Sequence, residues 1–458
     1  MTTPPRDPDT LGLSAEEMRQ LGYWVVDRVV DHAEGIRGQP ALRTGDPQWL
    51  MDQLGGPVPE EPGDPLAAMQ TLVDTALANM QHGDHPRHFA RVPGPSSFAG
   101  VLGDWLATGF NANVASWAGG SGPATVELVV LEWLRELLGL PAGSEGVLLS
   151  GGSMANITAL AVARQAGGPG VAYLSDQTHA SIARGLTAMG FARDIRVLPS
   201  DGEFRLTAAA VTDAMSADRA AGRRPAIVVA SAGTTNTGAV DALPELAELC
   251  AAHDLWLHVD GAYGAPAALC GPGRAVLAGL ERADSLVLDP HKWLFAPYDA
   301  GCLLVRRPGA LAATFAMTPE YLVDVLARAG EIDFRDRSLE LSRRARALKL
   351  WLVFRSYGAA RLREAIARGI ALAEHAQRRV QDDARWELVT PASLGIVTFA
   401  LRGVPDSEHA RRAAELVAGG YATVSSTTLR GRSVLRLCTI NPRTTEAEID
   451  ETLARLAS

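Results

Sequence analysis

The sequence predicts an α/β fold: a large domain around a mostly parallel seven-stranded sheet, a small C-terminal α+β domain and an N-terminal helical arm. Two observations lead there. Between about 100 and 310, short apolar runs alternate with helical stretches: "GVLLS" (146–150), "VAYLS" (171–175), "IRVLP" (195–199), "AIVVAS" (226–231), "LWLHVD" (255–260), "SLVLD" (285–289) and "GCLLVR" (301–306). Continuous apolar strands joined by helical crossovers belong to parallel sheets covered on both faces. After about 340 the order changes to one long helical region, then "GIVTFAL" (395–401), "YATVSST" (421–427), "VLRLCTI" (434–440) and a last helix from about 444. That pattern reads as an antiparallel sheet with helices.

The remaining elements follow in order. Residues 14–35 have apolar positions at helical spacing behind a Ser14/Glu17 capping box. Proline and glycine interrupt 38–65, and a second helix is expected over 66–81. Such an arm packs on a partner subunit. Between the strands, helices are expected at 154–166, 179–189 and 242–253. "SRRARALK" (342–349) alternates arginine with apolar residues and reads as a helix face rather than a binding patch. The expected segments are 1–85 (arm), 86–340 (large domain) and 341–458 (small domain).

Composition narrows the class of function. Hydrophobic residues make up 47% and charged residues 21%, as in ordinary soluble domains. A formal net charge of −9 leaves no electrostatic footprint for nucleic acid. No apolar run approaches the ~20 residues that span a bilayer. The start, "MTTPPRDPDT", lacks the basic-then-apolar order of a signal peptide. Cys250, Cys270, Cys302 and Cys438 form no CxxC pair, which favours free thiols in a reducing compartment over disulfides or a zinc site. A cytoplasmic protein that uses no metal is the expectation.

Chemistry collects where the strands end, because ligands of open α/β sheets bind outside the C-terminal strand ends. "LSGGSMAN" (149–156) follows a strand and opens a helix, so Gly151, Gly152 and Ser153 could cradle a phosphate. "SDQTH" brings His179 to the start of another helix, and "SAGTTNTGAVD" puts Thr234 and Thr235 after a strand. "WLHVDGAYG" ends a buried strand in Asp260, with His258 on the same side to support it. "DPHKW" sets Lys292 beside His291 and a bulky apolar run. Each is ordinary alone. Together they fit one ligand, pyridoxal phosphate: phosphate on the Gly-Ser turn, ring under His179, ring nitrogen facing Asp260 and aldehyde meeting Lys292.

In these tokens, and in "RALKLWLVFRSYG" (345–358) and "LRLCTINPRTTEAEI" (435–449), the chain resembles the aromatic-L-amino-acid decarboxylase family, the group II decarboxylases of fold type I. The resemblance covers nearly the whole chain. It implies that Lys292 carries the cofactor as a Schiff base, that Asp260 pairs with the pyridinium nitrogen, and that His179 stacks on the ring and assists proton transfer. It also implies that Gly152 and Ser153 form the phosphate turn with His291 and Thr235 close by, and that Ala262 packs against the ring. A homodimer with its active site at the subunit interface is implied too. Lys292 has to be neutral to attack an aldehyde, and burial beside apolar groups is expected to lower its pKa.

Three departures from the family pattern bear on the reaction. Counting back without gaps from "RRARALKLW", the family's loop tyrosine falls on Phe334, which has no proton to donate. Relatives with phenylalanine there resemble aldehyde synthases, so decarboxylation-coupled oxidative deamination to an aldehyde is the alternative to amine formation. Asp289 stands where many relatives have asparagine and is expected to turn away from the phosphate or pair with a base. On the substrate side, Arg91, Val92 and Gly94 replace aromatic residues and a threonine, and Ala115 replaces a phenylalanine. Arg91, Pro93 and Trp117 are the candidate substrate contacts. The leading expectation is decarboxylation of an aromatic or otherwise bulky L-amino acid to its amine and CO₂. A catalytically silent relative is disfavoured, because Lys292, Asp260 and His179 are all kept.

Overall fold

The computed structural model describes residues 11–317, 328 and 330–458. The arm begins with α1 (Ala15–Gly35), whose capping box is formed as expected: Ser14 Oγ accepts from Glu17 N and Glu17 reaches back to Ser14 N. Seven strands form the large sheet: β1 (Glu145–Leu149), β2 (Val171–Ser175), β3 (Ile195–Leu198), β4 (Pro225–Ser231), β5 (Trp256–Asp260), β6 (Ser285–Leu288) and β7 (Gly301–Val305). Their order is β1-β7-β6-β5-β4-β2-β3, with β7 antiparallel to both neighbours and the other pairs parallel. Strands β4 to β7 are buried along their whole length, which is why they read as unbroken apolar runs.

Helices cover the sheet: α2 (Trp117–Leu137), α3 (Gly152–Gly167), α4 (Ala180–Ala188), α5 (Ala208–Ala220) and α6 (Leu243–His253). The long α7 (Ala347–Asp382) continues through Gly358, whose φ of 72° is open to glycine and produces a kink. Beyond it lies a four-stranded antiparallel sheet of β8 (Trp386–Ser393), β9 (Ile396–Leu401), β10 (Ser425–Leu429) and β11 (Arg432–Cys438), in the order β10-β11-β9-β8. α8 (Ser407–Ala418) and α9 (Glu446–Ala457) complete the chain. Among the described residues no helix is long and apolar enough to cross a membrane.

The arginine cluster departs from expectation. α7 begins only at Ala347, so 342–346 is not a helix face, and Arg343 and Arg346 are buried. Arg343 pairs with Glu127 of α2 at 2.7 Å, both side chains fully enclosed, and also donates to Leu148 O. Arg346 pairs with Glu340 and Asp299. Partner carboxylates, absent from the local pattern, drew these cations inward.

Two histidines near the arm are held neutral. Burial, with Arg87 adding to it, lowers His85 to about 4, and burial with His85 beside it lowers His88 to about 3. His85 Nδ1 accepts from Arg87 N, and His88 Nδ1 shares a hydrogen bond with Thr423 Oγ1. In the unfolded chain both titrate near 6.5, so there they bind protons that the folded state refuses. Stability is therefore whole above pH ~6.5 and falls as pH drops toward 4, by roughly 1.4 kcal/mol per pH unit for each histidine. Denaturant midpoints at pH 7.5 and pH 5 should differ accordingly, and His88→Gln should flatten the slope.

Candidate active site

The C-terminal strand ends converge on one cavity of about 320 Å³. β1 runs into the Gly151–Gly152 turn that opens α3, β2 leads to His179 as the N-cap of α4, and β5 ends at Asp260. β6 leads through Asp289 into the short helical turn Pro290–Trp293 that carries Lys292. Gly152, Ser153, His179, Thr235, Asp260, Ala262, His291 and Lys292 all line this cavity. At Gly152 a side chain is excluded: a Cβ would stand 2.8 Å from Asp289 Oδ2 and 3.1 Å from Ala262 Cβ.

Asp260 is set by a directed relay. It accepts from Ala262 N at 3.0 Å and from Asn156 Nδ2 at 3.0 Å. The amide of Asn156 therefore turns its oxygen to His258 Nε2, 3.0 Å away, which must carry the proton. His258 Nδ1 is left to accept from Ser285 Oγ at 2.9 Å, and Ser285 Oγ in turn accepts from Trp256 Nε1. Burial keeps His258 neutral, lowering it to about 4 against the pull of Asp260. His258 thus supports Asp260 through Asn156. His179 uses Nδ1 to cap α4, accepting from Ser181 N and meeting Ser181 Oγ at 2.8 Å, so chemistry in the cavity falls to Nε2.

Lys292 departs from expectation in its charge. Burial pushes its pKa down, but the charge and hydrogen bond of Asp289, joined by Asp260, outweigh this and raise it above the ordinary lysine value. Nζ lies 2.8 Å from Asp289 Oδ2. Asp289 thus pairs with a base, and His291 Nε2 stands 3.6 Å from the same oxygen. Burial lowers the His291 pKa, and its Nδ1 accepts from Ala300 N.

Four candidates lie elsewhere. Phe334 is fully buried in the core, with the Arg343 guanidinium 4.9 Å above its ring, and does not line the cavity. Its segment is pinned: Asp333 accepts from Trp117 N at 2.8 Å and Arg335 N donates to Ala115 O at 2.9 Å. Ungapped counting had mistaken a core position for a loop position. Arg91, Pro93 and Trp117 are also outside the cavity lining; Arg91 is exposed and reaches Gln81, Pro93 is buried, and Trp117 caps the Asp333 contact through its backbone.

Some neighbours escaped the sequence reading. Asn156 was readable, four residues after Gly152 and so on the same inward face of α3. Tyr263 lines the cavity and stacks on Trp293 at 5.3 Å with an interplanar angle of 1°. Arg436 is 2% exposed, and no carboxylate pairs with it among the described residues; Nη1 donates to Arg91 O, and burial lowers its pKa.

The profile described as "Pyridoxal-dependent decarboxylase conserved domain" matches residues 47–402. The chain belongs to the pyridoxal-dependent decarboxylase family. An aromatic-L-amino-acid decarboxylase of Bacillus atrophaeus is 45% identical over 464 residues, covering 98% of this chain and 96% of that protein. The crystal structure of Oryza sativa TDC with PLP and tryptamine superposes with a TM-score of 0.92 at 30% identity, covering 97% of each chain. That of Rhodiola rosea 4-hydroxyphenylacetaldehyde synthase gives 0.89 at 28% identity, covering 97% of this chain and 98% of that one.

Pyridoxal 5'-phosphate is the decarboxylase's cofactor, and the cavity fits it. With no side chain at Gly152, Asp289 and Ala262 close directly on the start of the sixteen-residue α3, and Gly152 and Ser153 line the cavity at that N-terminus, the kind of helix end that binds a phosphate. Asp260 faces the same space with its plane fixed by two N–H donors, and Lys292 supplies the amine.

Proposed function

We propose that this decarboxylase converts an aromatic L-amino acid to the corresponding amine and CO₂, acting as a cytoplasmic homodimer. The observation that carries the reaction is Lys292 and Asp260 lining one cavity with His179 and the Gly152–Ser153 turn. The aromatic substrate is supported by the relatives' names, not by the lining of this cavity. The dimer is supported by the apolar side chains left open on the arm, among them Met18, Tyr23 and Leu72.

When bound, the cofactor supplies an electron sink that accepts the pair released as the carboxylate departs. The chain's residues do the rest. Ser153 and the α3 N-terminus would hold the phosphate, and Asp260, fixed by Asn156 and Ala262, would keep the ring nitrogen protonated. Lys292 anchors the cofactor and afterwards moves protons at its Nζ. His179 lines the cavity with Nδ1 tied to Ser181, and its Nε2 would orient the substrate and pass a proton. Arg436 is buried, lies outside the cavity lining and pairs with no carboxylate among the described residues; we assign it the steering of the substrate acid group. Steering matters because the bond held perpendicular to the ring is the one that breaks.

The aldehyde alternative loses the argument drawn from Phe334, a core residue, and keeps only the likeness to an aldehyde synthase, while the relatives named as decarboxylases favour the amine. Between 306 and 345 the sequence has a single tyrosine, Tyr321, which lies outside the described residues. We assign to it the proton-donating part that the family's loop tyrosine implies. Incubation with a panel of aromatic L-amino acids should yield amine with CO₂ and no hydrogen peroxide. Tyr321→Phe should divert most product to aldehyde and peroxide. Aldehyde and peroxide in step with CO₂ from the unaltered protein would reject the amine reading.

A further inference from the structure

We propose that Asp289 is the proton acceptor for Lys292 during cofactor capture, so that the chain loads pyridoxal phosphate without help from an external base. The inference rests on Lys292 being the residue that takes the cofactor. Three observations carry it. Lys292 Nζ and Asp289 Oδ2 are 2.8 Å apart, a direct line for a proton. Asp289 is 2% exposed, and its other oxygen, Oδ1, is buried with no hydrogen-bond partner among the described residues. The carboxylate also lies against the phosphate turn, since a Cβ on Gly152 would stand 2.8 Å from Oδ2 and 3.2 Å from Oδ1.

Asp289 therefore sits between the two ends of the ligand. One end engages its cationic partner, and the other brings a second anion beside it. Once Lys292 is taken up in the C=N bond, the carboxylate has lost its nearest cation and faces a phosphate that repels it. Taking a proton resolves both problems. The neutral carboxyl no longer repels the phosphate, and its O–H is a donor for it.

The step balances. Lys292 starts as –NH₃⁺ and ends in a C=N bond. Two of its three protons leave with the aldehyde oxygen as water, and the third passes to Asp289 Oδ2. The nitrogen lone pair forms the bond to carbon, and nothing is oxidised or reduced. Other ionisable groups around the pair are less suited. Asp260, at the end of β5, is committed to Asn156 and Ala262. His291 Nε2 faces Asp289 rather than Lys292. Tyr298 in the following loop and Cys438 at the end of β11 are both held protonated by burial, and His179 has Nδ1 engaged with Ser181.

The test compares the cofactor-free protein with Asp289→Asn, close in shape but unable to take the proton. The rate of C=N formation is followed by absorbance as pyridoxal phosphate is added, from pH 6 to 8. The ratio of the two rates cancels the cofactor's own titrations. It should fall by at least about tenfold as pH rises, because the variant must wait for free amine. A ratio that stays flat overturns the proposal. If the variant alone forms no band, amine labelling of Lys292 in cofactor-free protein at pH 7 decides. Labelling about tenfold faster than in the unaltered protein upholds the pairing, and equal rates overturn it. Failure of both proteins to form the band would instead reject Lys292 as the cofactor's anchor.

Discussion

Lys292→Ala is expected to abolish the absorbance band that a C=N bond to the cofactor would give, because alanine forms no such bond. Turnover should fall by about 10²–10⁴-fold or more, the range that proton transfer by one positioned group contributes alone. Binding should weaken less than catalysis, since the α3 N-terminus and Asp260 remain to hold the phosphate and the ring. The variant also leaves Asp289 buried without its cation, 2% exposed beside the phosphate turn. Lys292→Arg separates the two losses. It restores a charge for Asp289 but not the band, so its cofactor affinity should exceed that of the alanine variant. Equilibrium dialysis together with the spectrum reads both quantities. A band persisting in either variant would remove Lys292 from the chemistry.

Arg343→Ala should cost about 3–5 kcal/mol, the usual consequence of stranding one member of a buried ion pair. Glu127 is fully enclosed, and its Oε1 accepts from both Arg343 Nη2 and Leu148 N. Arg343 Nη2 also donates to Leu148 O, so the pair clamps both backbone groups of one β1 residue. β1 ends just before the Gly151–Gly152 turn, and cofactor affinity should fall along with stability. Glu127→Gln combined with Arg343→Met should recover part of the loss by removing the stranded charge, a coupling that a double-mutant cycle measures. Denaturant unfolding at fixed protein concentration tests both. Additive single and double effects would mean that the pair does not act as a unit.

What the sequence showed of the fold follows from burial. β4, β5 and β6 are enclosed on both faces, so their apolar runs were unbroken and their polar ends marked the cavity. β8 went unread because it is the edge of the small sheet, half-exposed and carrying Pro391. Gly152, His179 and Asp260 stood out because they open a helix, cap one and close a strand, positions that the pattern itself locates. Phe334 was misplaced because ungapped counting assumes a loop length that nothing local determines. Arg343 looked like surface because its partner, Glu127, lies 216 residues away. Asp289 could be singled out as unusual, but only its distance to Lys292 shows which base it meets.

Trp293, next to Lys292, stacks flat on Tyr263, and the Tyr263 hydroxyl accepts from Gly395 N at 2.7 Å. Side chains at Gly369 or Gly395 would meet the Trp293 ring at 3.1 Å and 3.4 Å, so α7 and the start of β9 close directly on it. The lysine's immediate neighbour is thus walled by chain that is synthesised well after it. A growing polypeptide released before residue 395 would have its seven-stranded sheet but a half-open bed under Trp293. Cofactor capture during translation should accordingly wait until the chain has emerged beyond residue 395, and fragments cut ahead of α7 should take up pyridoxal phosphate only when the missing piece is supplied in trans.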